Sequence, residues 1–317
     1  MKAFAVLQPG PLTTIQDVGR YGYQQYGVPP SGAVDNYAYR IGNLLVGNEE
    51  TAASLEITLF GCQLRVLRGI TIAVTGADLA ATINGNPIPR WESIPVRYGD
   101  VVSFPRLKSG CRAYLTVTGG IDVPRVMSSA ATYTKASIGG IKGRPIRKGD
   151  ILHTVEATPV TVRALVPPEY IPEYSNQIEL RVMLGPQDNC FTQDGIRTFL
   201  QSNYTISTEA DRIGYRLEGL RIQHQTKADI ISDGIPLGAV QVPGNGLPII
   251  LLADRLTTGG YTKIATVISV DIPKLAQAKP GDQVRFQQVS EDEAYLALQE
   301  YEQQIQTIRS RLWETDP

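Results

Sequence analysis

Three polar blocks in this 317-residue chain carry the side chains best suited to chemistry. The first runs from Gly10 to Asp35 and places an amide, a carboxylate and a guanidinium, Gln16, Asp17 and Arg20, within five residues. Arginine offers a planar fork of donors that matches a carboxylate or phosphate. A carboxylate nearby can orient water or take a proton. The alternative is that Asp17 and Arg20 pair with each other or cap turns. The second block, Glu209-Ala-Asp-Arg-Ile-Gly-Tyr-Arg-Leu217, brings Arg212, Tyr215 and Arg216 together. Its two arginines suit an anion clamp as well as a solvated strand face. The third spans Gly238 to Tyr261 and holds Gln241, Asp254, Thr257, Thr258 and Tyr261 on two glycine-containing loops. Gly259 and Gly260 permit close backbone approach to a ligand. Two plain hairpin turns would look the same.

What is missing narrows the chemistry further. There are two histidines, His153 and His224, and three scattered cysteines, Cys62, Cys111 and Cys190. None has the short Cys/His spacing of a zinc site, so no metal is expected. A serine–histidine triad would depend on one of two histidines in strand-like surroundings. No Walker-type phosphate loop and no G-x-S-x-G elbow occurs. No Met-Lys-Met-like hairpin for biotin attachment is present, so no covalent biotin is expected. Lys and Arg total 30 against 31 Asp and Glu, a net charge of −1. That balance argues against a nucleic-acid partner recognised through a basic surface. No window of about 18 apolar residues suggests a membrane span. The first apolar run stops at Pro9-Gly10, too short for a signal sequence. A cytoplasmic location is the expectation.

The elements that must position these blocks are mostly strands. Thirty glycines and 21 prolines punctuate short β-branched runs. Examples are 70–74, 94–97, 101–104, 112–118, 178–184, 247–252 and 263–270. A Gly-Asp pair precedes three such runs, at Gly99-Asp100, Gly149-Asp150 and Gly281-Asp282. Glycine supplies the positive φ of a turn, and Asp bonds its own backbone. Asn84-Gly85 is a further hairpin signal. Helices are few. Asp35 caps a helix expected to reach about Val46, and a second is expected within 188–200. Ser290 and Glu293 form a capping box. Behind it Ala294, Leu298, Tyr301, Ile305, Ile308 and Leu312 repeat at spacings of four and three, as on one helix face. That helix docks on its own chain or makes a contact between subunits. The proline-rich stretch Leu165–Tyr174 divides the chain nearly in half.

These blocks also resemble a known family. Thr14-Ile-Gln-Asp-Val-Gly-Arg-Tyr-Gly-Tyr, Ser54-Leu-Glu-Ile-Thr-Leu-Phe-Gly, Val117-Thr-Gly-Gly-Ile-Asp-Val-Pro and Gly139-Gly-Ile-Lys-Gly-Arg-Pro are similar to motifs of the allophanate-hydrolase-subunit-2 family. So are Asp211-Arg-Ile-Gly-Tyr-Arg-Leu, Ala239-Val-Gln-Val-Pro and Ala253-Asp-Arg-Leu-Thr-Thr-Gly-Gly-Tyr. This is also the KipA or biotin-dependent carboxyltransferase family, and it includes the C subunit of bacterial 5-oxoprolinase. The ordered motifs span residues 4–289.

The resemblance implies a mainly β fold of two tandem cyclophilin-like β-barrels, with a few short helices and a C-terminal helix. The expected domains are 1–165, 166–289 and a terminal helix over 290–317. It also implies two partner proteins, one KipI-like and one LamB/YcsF-like. Together the three would couple ATP hydrolysis to opening of 5-oxo-L-proline, a small cyclic amide, to L-glutamate. ATP would enter through the complex, bound by this chain or by a partner. Arg20, Arg212 and Arg216 would hold anionic oxygens. Asp17 or Asp254 would handle water or a proton. Gln16, Tyr215, Gln241, Thr257, Thr258, Gly259, Gly260 and Tyr261 would line the substrate site. Two other roles fit the family: a biotin-dependent carboxyltransferase component, or a KipA-like regulator that binds a KipI-like kinase inhibitor. No biotin carrier, biotin carboxylase or amidase segment is recognised in these residues. One departure stands out. Met127-Ser-Ser-Ala-Ala-Thr132 replaces the usual Leu-Gly-Ser-x-Ser-Thr, so a glycine is lost. Ala210 also stands where Ser is common.

Overall fold

Glycine at the third position of a tight turn fixes where many of the strands begin. Gly99, Gly149 and Gly281 have φ of 91°, 90° and 92°. Each is followed by an Asp whose N–H bonds the carbonyl three residues back, at 3.1, 3.0 and 3.1 Å. The same three side chains, Asp100, Asp150 and Asp282, accept the backbone N–H of Arg97, Arg147 and Lys279 at 2.8, 2.7 and 3.0 Å. This is one type II turn used three times, with glycine where φ must be positive.

The computed structural model describes residues 1–158, 160 and 163–312. The chain is mainly β and forms two compact units. The first holds Met1–Arg20, Ser31–Tyr174 and the chain from Gln303 onward; the second holds Tyr21–Pro30 and Ser175–Glu302.

The first unit contains β1 (Lys2–Pro9), β2 (Leu12–Gln16), β3 (Ser54–Thr58), β4 (Cys62–Val66), β5 (Ile70–Asp78) and β6 (Thr82–Ile83). Next come β7 (Asn86–Pro87), β8 (Ser93–Val96), β9 (Val101–Ser103), β10 (Ser109–Val117), β11 (Ile121–Asp122) and β12 (Ile151–Thr154). One sheet has the order β11-β12-β1-β4-β9-β6-β7 and the other β2-β3-β10-β5-β8. Their facing sides bury Phe4, Val6, Leu64, Val66 and Leu152 against Ile15, Leu55, Ile57, Ile72, Val74 and Leu115. Burying each such side chain contributes about 1.5–3 kcal/mol. The tip of β6–β7 is Asn84-Gly85 with both φ positive, 53° and 84°, as a two-residue hairpin turn needs.

Helix α1 (Asn36–Leu45) lies on the outer face of the β2–β8 sheet. Its cap is Asp35, whose carboxylate accepts the Ala38 N–H at 2.9 Å. Tyr37, Ile41, Leu44 and Leu45 are buried as the periodicity predicts.

The second unit is a closed barrel. It is built from β13 (Gln177–Leu184), β14 (Tyr204–Ile206), β15 (Gly214–Glu218), β17 (Ala239–Gln241), β18 (Ile249–Leu251), β20 (Lys263–Val267) and β21 (Gln283–Gln288). The barrel order is β13-β20-β17-β18-β15-β14-β21, with β21 parallel to β13. A separate two-stranded ribbon pairs β16 (Asp229–Gly234) with β19 (Thr258–Tyr261). Helix α2 (Gln193–Gln201) is capped by Thr192 and stacks Phe199 on Phe286 of β21 at 4.3 Å. It is shorter than the 188–200 expectation, because residues 188–190 form a separate 3-10 turn. A short helix α3 (Ile272–Ala276) follows β20.

Helix α4 (Glu291–Leu312) starts at the expected capping box: Ser290 and Glu293 exchange bonds of 2.7–3.3 Å. Ile305, Ile308 and Leu312 are buried, and Gln304 bonds the Tyr37 hydroxyl at 3.0 Å. This end of the helix therefore docks in cis on the first unit. Leu298, earlier in the same expected stripe, stays exposed. Residues 313–317 of the expected terminal segment lie outside the described residues.

Candidate active site

The end of β2 delivers the first polar block into a tightly bonded loop. Asp17 is buried and accepts three donors: Gly19 N–H at 2.8 Å, Ser129 Oγ–H at 2.7 Å and Ala130 N–H at 2.6 Å. Arg20 is buried as well and donates to the Ala131 carbonyl. Gln16 Nε2 donates to Thr14 Oγ1 at 2.9 Å and the Thr132 carbonyl at 3.2 Å, while its Oε1 is buried without a partner. Asp17 and Arg20 thus do not pair with each other here. Each grips the strand-like segment 129–132. Gly139 lies beneath that segment, and a Cβ there would sit 2.0 Å from the Ala131 oxygen. Met127 and Ser128 precede it with φ of 53° and 62°. The glycine lost from the family pattern thus falls on left-handed backbone, a conformation that costs a non-glycine residue about 1–2 kcal/mol.

Residues that sequence reasoning missed lie on the α1-facing side of the same sheet. Tyr114 donates to Glu56 at 2.6 Å and accepts the Asp35 N–H at 2.9 Å. Glu56 also accepts the Val34 N–H at 3.1 Å and faces Arg112 at 3.8 Å. All are buried. Burial, compounded by the neighbouring Glu56 charge, pushes the Tyr114 hydroxyl far above its ordinary pKa. The signal was the alternation of Thr14, Gln16, Ser54, Glu56 and Tyr114 opposite the apolar set, a polar layer where a helix packs.

In the second unit, Arg212 and Asp254 form a bidentate pair, with Nε and Nη2 each 3.0 Å from a carboxylate oxygen. Both side chains are nearly fully buried. Arg216, four residues on, points outward and pairs with Glu209 at 3.0 Å. The two arginines therefore do not converge on one anion. Tyr215 is buried, its hydroxyl 3.2 Å from the Ala278 carbonyl. Thr257 offers its carbonyl to Ile235 N–H at 3.0 Å. Thr258 and Tyr261 are exposed and Gly259 and Gly260 half-buried on β19.

Beneath that ribbon lies a cluster with one residue the sequence did not mark. Lys263 opens β20 directly opposite Gln241 of β17, so the two side chains share a face. The Lys263 side chain is 1% exposed, and its ammonium pairs with Asp233 of β16 at 3.0 Å. That ammonium holds the Asp233 carboxyl below the usual carboxylate range. Gln241 is 6% exposed and its Nε2 has no hydrogen-bond partner. Gln187 clamps the Lys263 backbone, donating to its carbonyl and accepting its N–H, both at 3.1 Å. A lysine inside the alternation of Lys263, Ala265 and Val267 was the legible sign.

Two further candidate groups, His224 and Cys62, are engaged elsewhere. His224 Nε2 sits between the Val242 carbonyl at 3.0 Å and Thr262 Oγ1 at 3.2 Å, its ring against Phe191. Burial pushes the Cys62 thiol up to about 12. Among the described residues, no three His, Cys, Asp or Glu side chains gather as a metal would require. No helix among them is long and apolar enough to cross a membrane.

Mainly β architecture and these motif positions coincide with a carboxyltransferase domain. The chain belongs to the family described as carboxyltransferase domain, subdomain A and B, whose model matches residues 26–288. Among its relatives, the 5-oxoprolinase C subunit of Escherichia coli K12 is 37% identical over 307 residues, covering 97% of this chain and 98% of that protein. The protein of the same name from Haemophilus influenzae is 34% identical, with 93% and 94% covered. Urea amidolyase of Saccharomyces cerevisiae is 33% identical over 90% of this chain but only 16% of its own length. The solved Kluyveromyces lactis urea carboxylase superposes with a TM-score of 0.92 at 31% identity, covering 100% of this chain and 30% of that one. Its urea amidolyase gives the same score over 97% and 20%.

Proposed function

We propose that the chain is one component of a 5-oxoprolinase-type complex that couples ATP hydrolysis to opening of 5-oxo-L-proline. The observation supporting this reading is the two-way match to the 5-oxoprolinase C subunit, which covers nearly all of both chains. The partners in the proposal are a KipI-like protein and a LamB/YcsF-like protein, in the cytoplasm.

An unstrained lactam resists hydrolysis, because amide resonance lowers the electrophilicity of its carbonyl. In the proposed cycle the amide oxygen attacks the γ-phosphorus of ATP and ADP leaves. Water then adds to the activated carbon. The C–N bond breaks and the ring nitrogen takes a proton, leaving an acyl phosphate of glutamate, which a second water hydrolyses to L-glutamate and phosphate. This chain contributes binding and orientation of the cyclic amide. Gln241, with Thr257 just before the ribbon and Thr258 and Tyr261 on it, would position the substrate. Near Gln241 the buried cation is Lys263. One ammonium and one amide fit a singly charged carboxylate better than a triphosphate, so ATP is assigned to another part of the complex. Arg212 and Asp254 hold each other, and in the proposal they shape the site as a rigid pair. Asp17 and Arg20 hold segment 129–132 in the same way.

Co-expression with the KipI-like and LamB/YcsF-like partners and an ATP-dependent glutamate-release assay tests the reading. Release that requires all three chains supports it, and no release from the assembled complex refutes it. The family model and the urea carboxylase likeness favour a second reading, a carboxyltransferase served by a separate biotin carrier. That reading requires activity that avidin abolishes.

A further inference from the structure

A buried ammonium is stable only when paired, and the partner usually is buried with it. Lys263 departs from that pattern. Its side chain is 1% exposed, yet its acidic partner Asp233 is 57% exposed and sits on the surface ribbon. Asp233 otherwise bonds its neighbour's N–H, Gly234 at 2.7 Å, and the Gln187 side chain. Beside this pair, Gln241 is more than nine-tenths buried and its Nε2 donates to nothing. Gly259 keeps the space by that nitrogen open. A Cβ on Gly259 would stand 3.0 Å from Gln241 Nε2 and 2.7 Å from Ile235 Cδ1. Gly259 is also the residue directly across the ribbon from Asp233. Four residues from four strands thus meet at one point: a cation, an unused amide donor, a glycine gap and a displaceable carboxylate.

We propose that Lys263 and Gln241 form a receptor for a ligand carboxylate, and that Asp233 occupies the ammonium until that carboxylate replaces it. An ammonium and an amide N–H together satisfy the two oxygens of one carboxylate, and charge-assisted bonds of this kind are the strong ones. Asp233 then returns to water, where an exposed carboxylate loses little. Its exchange lets the ribbon take up ligand without leaving Lys263 unpaired at any stage. Lys263 thereby joins the substrate-binding group as the residue that reads the negative charge. The inference takes its substrate class from the proposed function, a small ring bearing a carboxylate, but it concerns the carboxylate alone.

Calorimetric titration of the full chain tests it with three probes: 5-oxo-L-proline, its neutral carboxamide, and cyclopentanecarboxylate, which keeps ring and charge but has no lactam. Asp233→Asn removes the internal competitor and keeps the ribbon's shape, so 5-oxo-L-proline binds about three- to tenfold tighter. Lys263→Met and Gln241→Leu weaken binding by at least about tenfold and fivefold. The carboxamide binds the wild type and Asp233→Asn less tightly than the carboxylate does, and Lys263→Met loses that preference. Asp233→Asn takes the partner from a buried ammonium, so circular dichroism verifies its fold first, and the wild-type comparison of 5-oxo-L-proline with its carboxamide decides the matter even where a variant unfolds. Weaker or unchanged binding by Asp233→Asn overturns the proposal, as does equal affinity for the carboxamide. If neither carboxylate binds the wild type or Asp233→Asn, the receptor falls while the complex's activity stands on its own assay. If both carboxylates bind equally and through Lys263, the receptor is upheld and lactam opening loses its support at this site.

Discussion

Replacing Arg212 by Ala strands Asp254 inside the barrel, and the size of the loss follows from the geometry. Two N–O distances of 3.0 Å place the charge centres about 4 Å apart, worth about 4 kcal/mol at an effective dielectric of 20. Both side chains are nearly fully buried, so solvent does little to replace the lost partner. Breaking such a pair from one side costs about 3–5 kcal/mol. With a urea m-value of about 2 kcal/mol/M, the transition that unfolds the barrel moves down by about 2 M. Asp254→Ala, which strands the guanidinium instead, behaves similarly. The double change Arg212→Met with Asp254→Leu leaves no charge behind and recovers most of the loss, to within about 1–2 kcal/mol of the parent. Equilibrium urea denaturation at neutral pH, followed by tyrosine and tryptophan fluorescence and by circular dichroism, measures all three. A single-mutant loss below about 1 kcal/mol would show that the pair is solvated, and the reasoning would fail. Turnover of the reconstituted complex supplies a second readout. A folded Arg212→Lys variant keeps the charge and loses the fork; unchanged turnover from it removes the bidentate geometry from the site.

Asp17→Asn replaces one acceptor oxygen by an amide donor facing another donor and loses about 2–4 kcal/mol, seen as a lower urea midpoint for the first unit; a neutral outcome would contradict the three donors found around the carboxylate. Ser128→Gly relieves left-handed backbone at φ 62° and raises stability by about 0.5–1 kcal/mol in the same assay, whereas a loss would mean that the Ser128 side chain holds the loop. Burial alone would raise the Asp271 carboxyl, but bonds from Arg181 and Lys274 outweigh it and hold the group below its ordinary value. Its stabilisation is therefore complete above about pH 5 and is lost as pH falls through 4 and below. Asp271→Asn should flatten the acid limb of barrel stability, and an unchanged limb would refute the assignment.

Local backbone chemistry was the most legible part of the fold. Gly-Asp pairs, Asn84-Gly85, the Asp35 cap and the Ser290–Glu293 box each act within four residues, so sequence alone contains both partners. The terminal helix shows where that stops. Its stripe from Ala294 to Leu312 is uniform in sequence, but the stripe's own residues are buried only from Ile305 onward, where Tyr37 and Glu50 lie against the helix. Helix periodicity says which face is apolar and cannot say how much of it finds a neighbour.

The site divides along the same line. Asp17, Arg20, Arg212 and Asp254 were conspicuous because they carry charge inside glycine-rich blocks. In the folded chain they hold segment 129–132 or each other. Lys263 stood in an ordinary β-branched run and drew no notice. What makes it unusual is a long-range coincidence: β17 sets Gln241 opposite it, and β16 brings Asp233 over from a separate ribbon. A charge in a polar loop costs little and says little about function. A lysine closed off from water, matched by an exposed carboxylate and an unused amide, is expensive to maintain, because every group in it would be more stable in another arrangement. Fold stability gives no reason for that combination, whereas an incoming carboxylate would satisfy both donors at once.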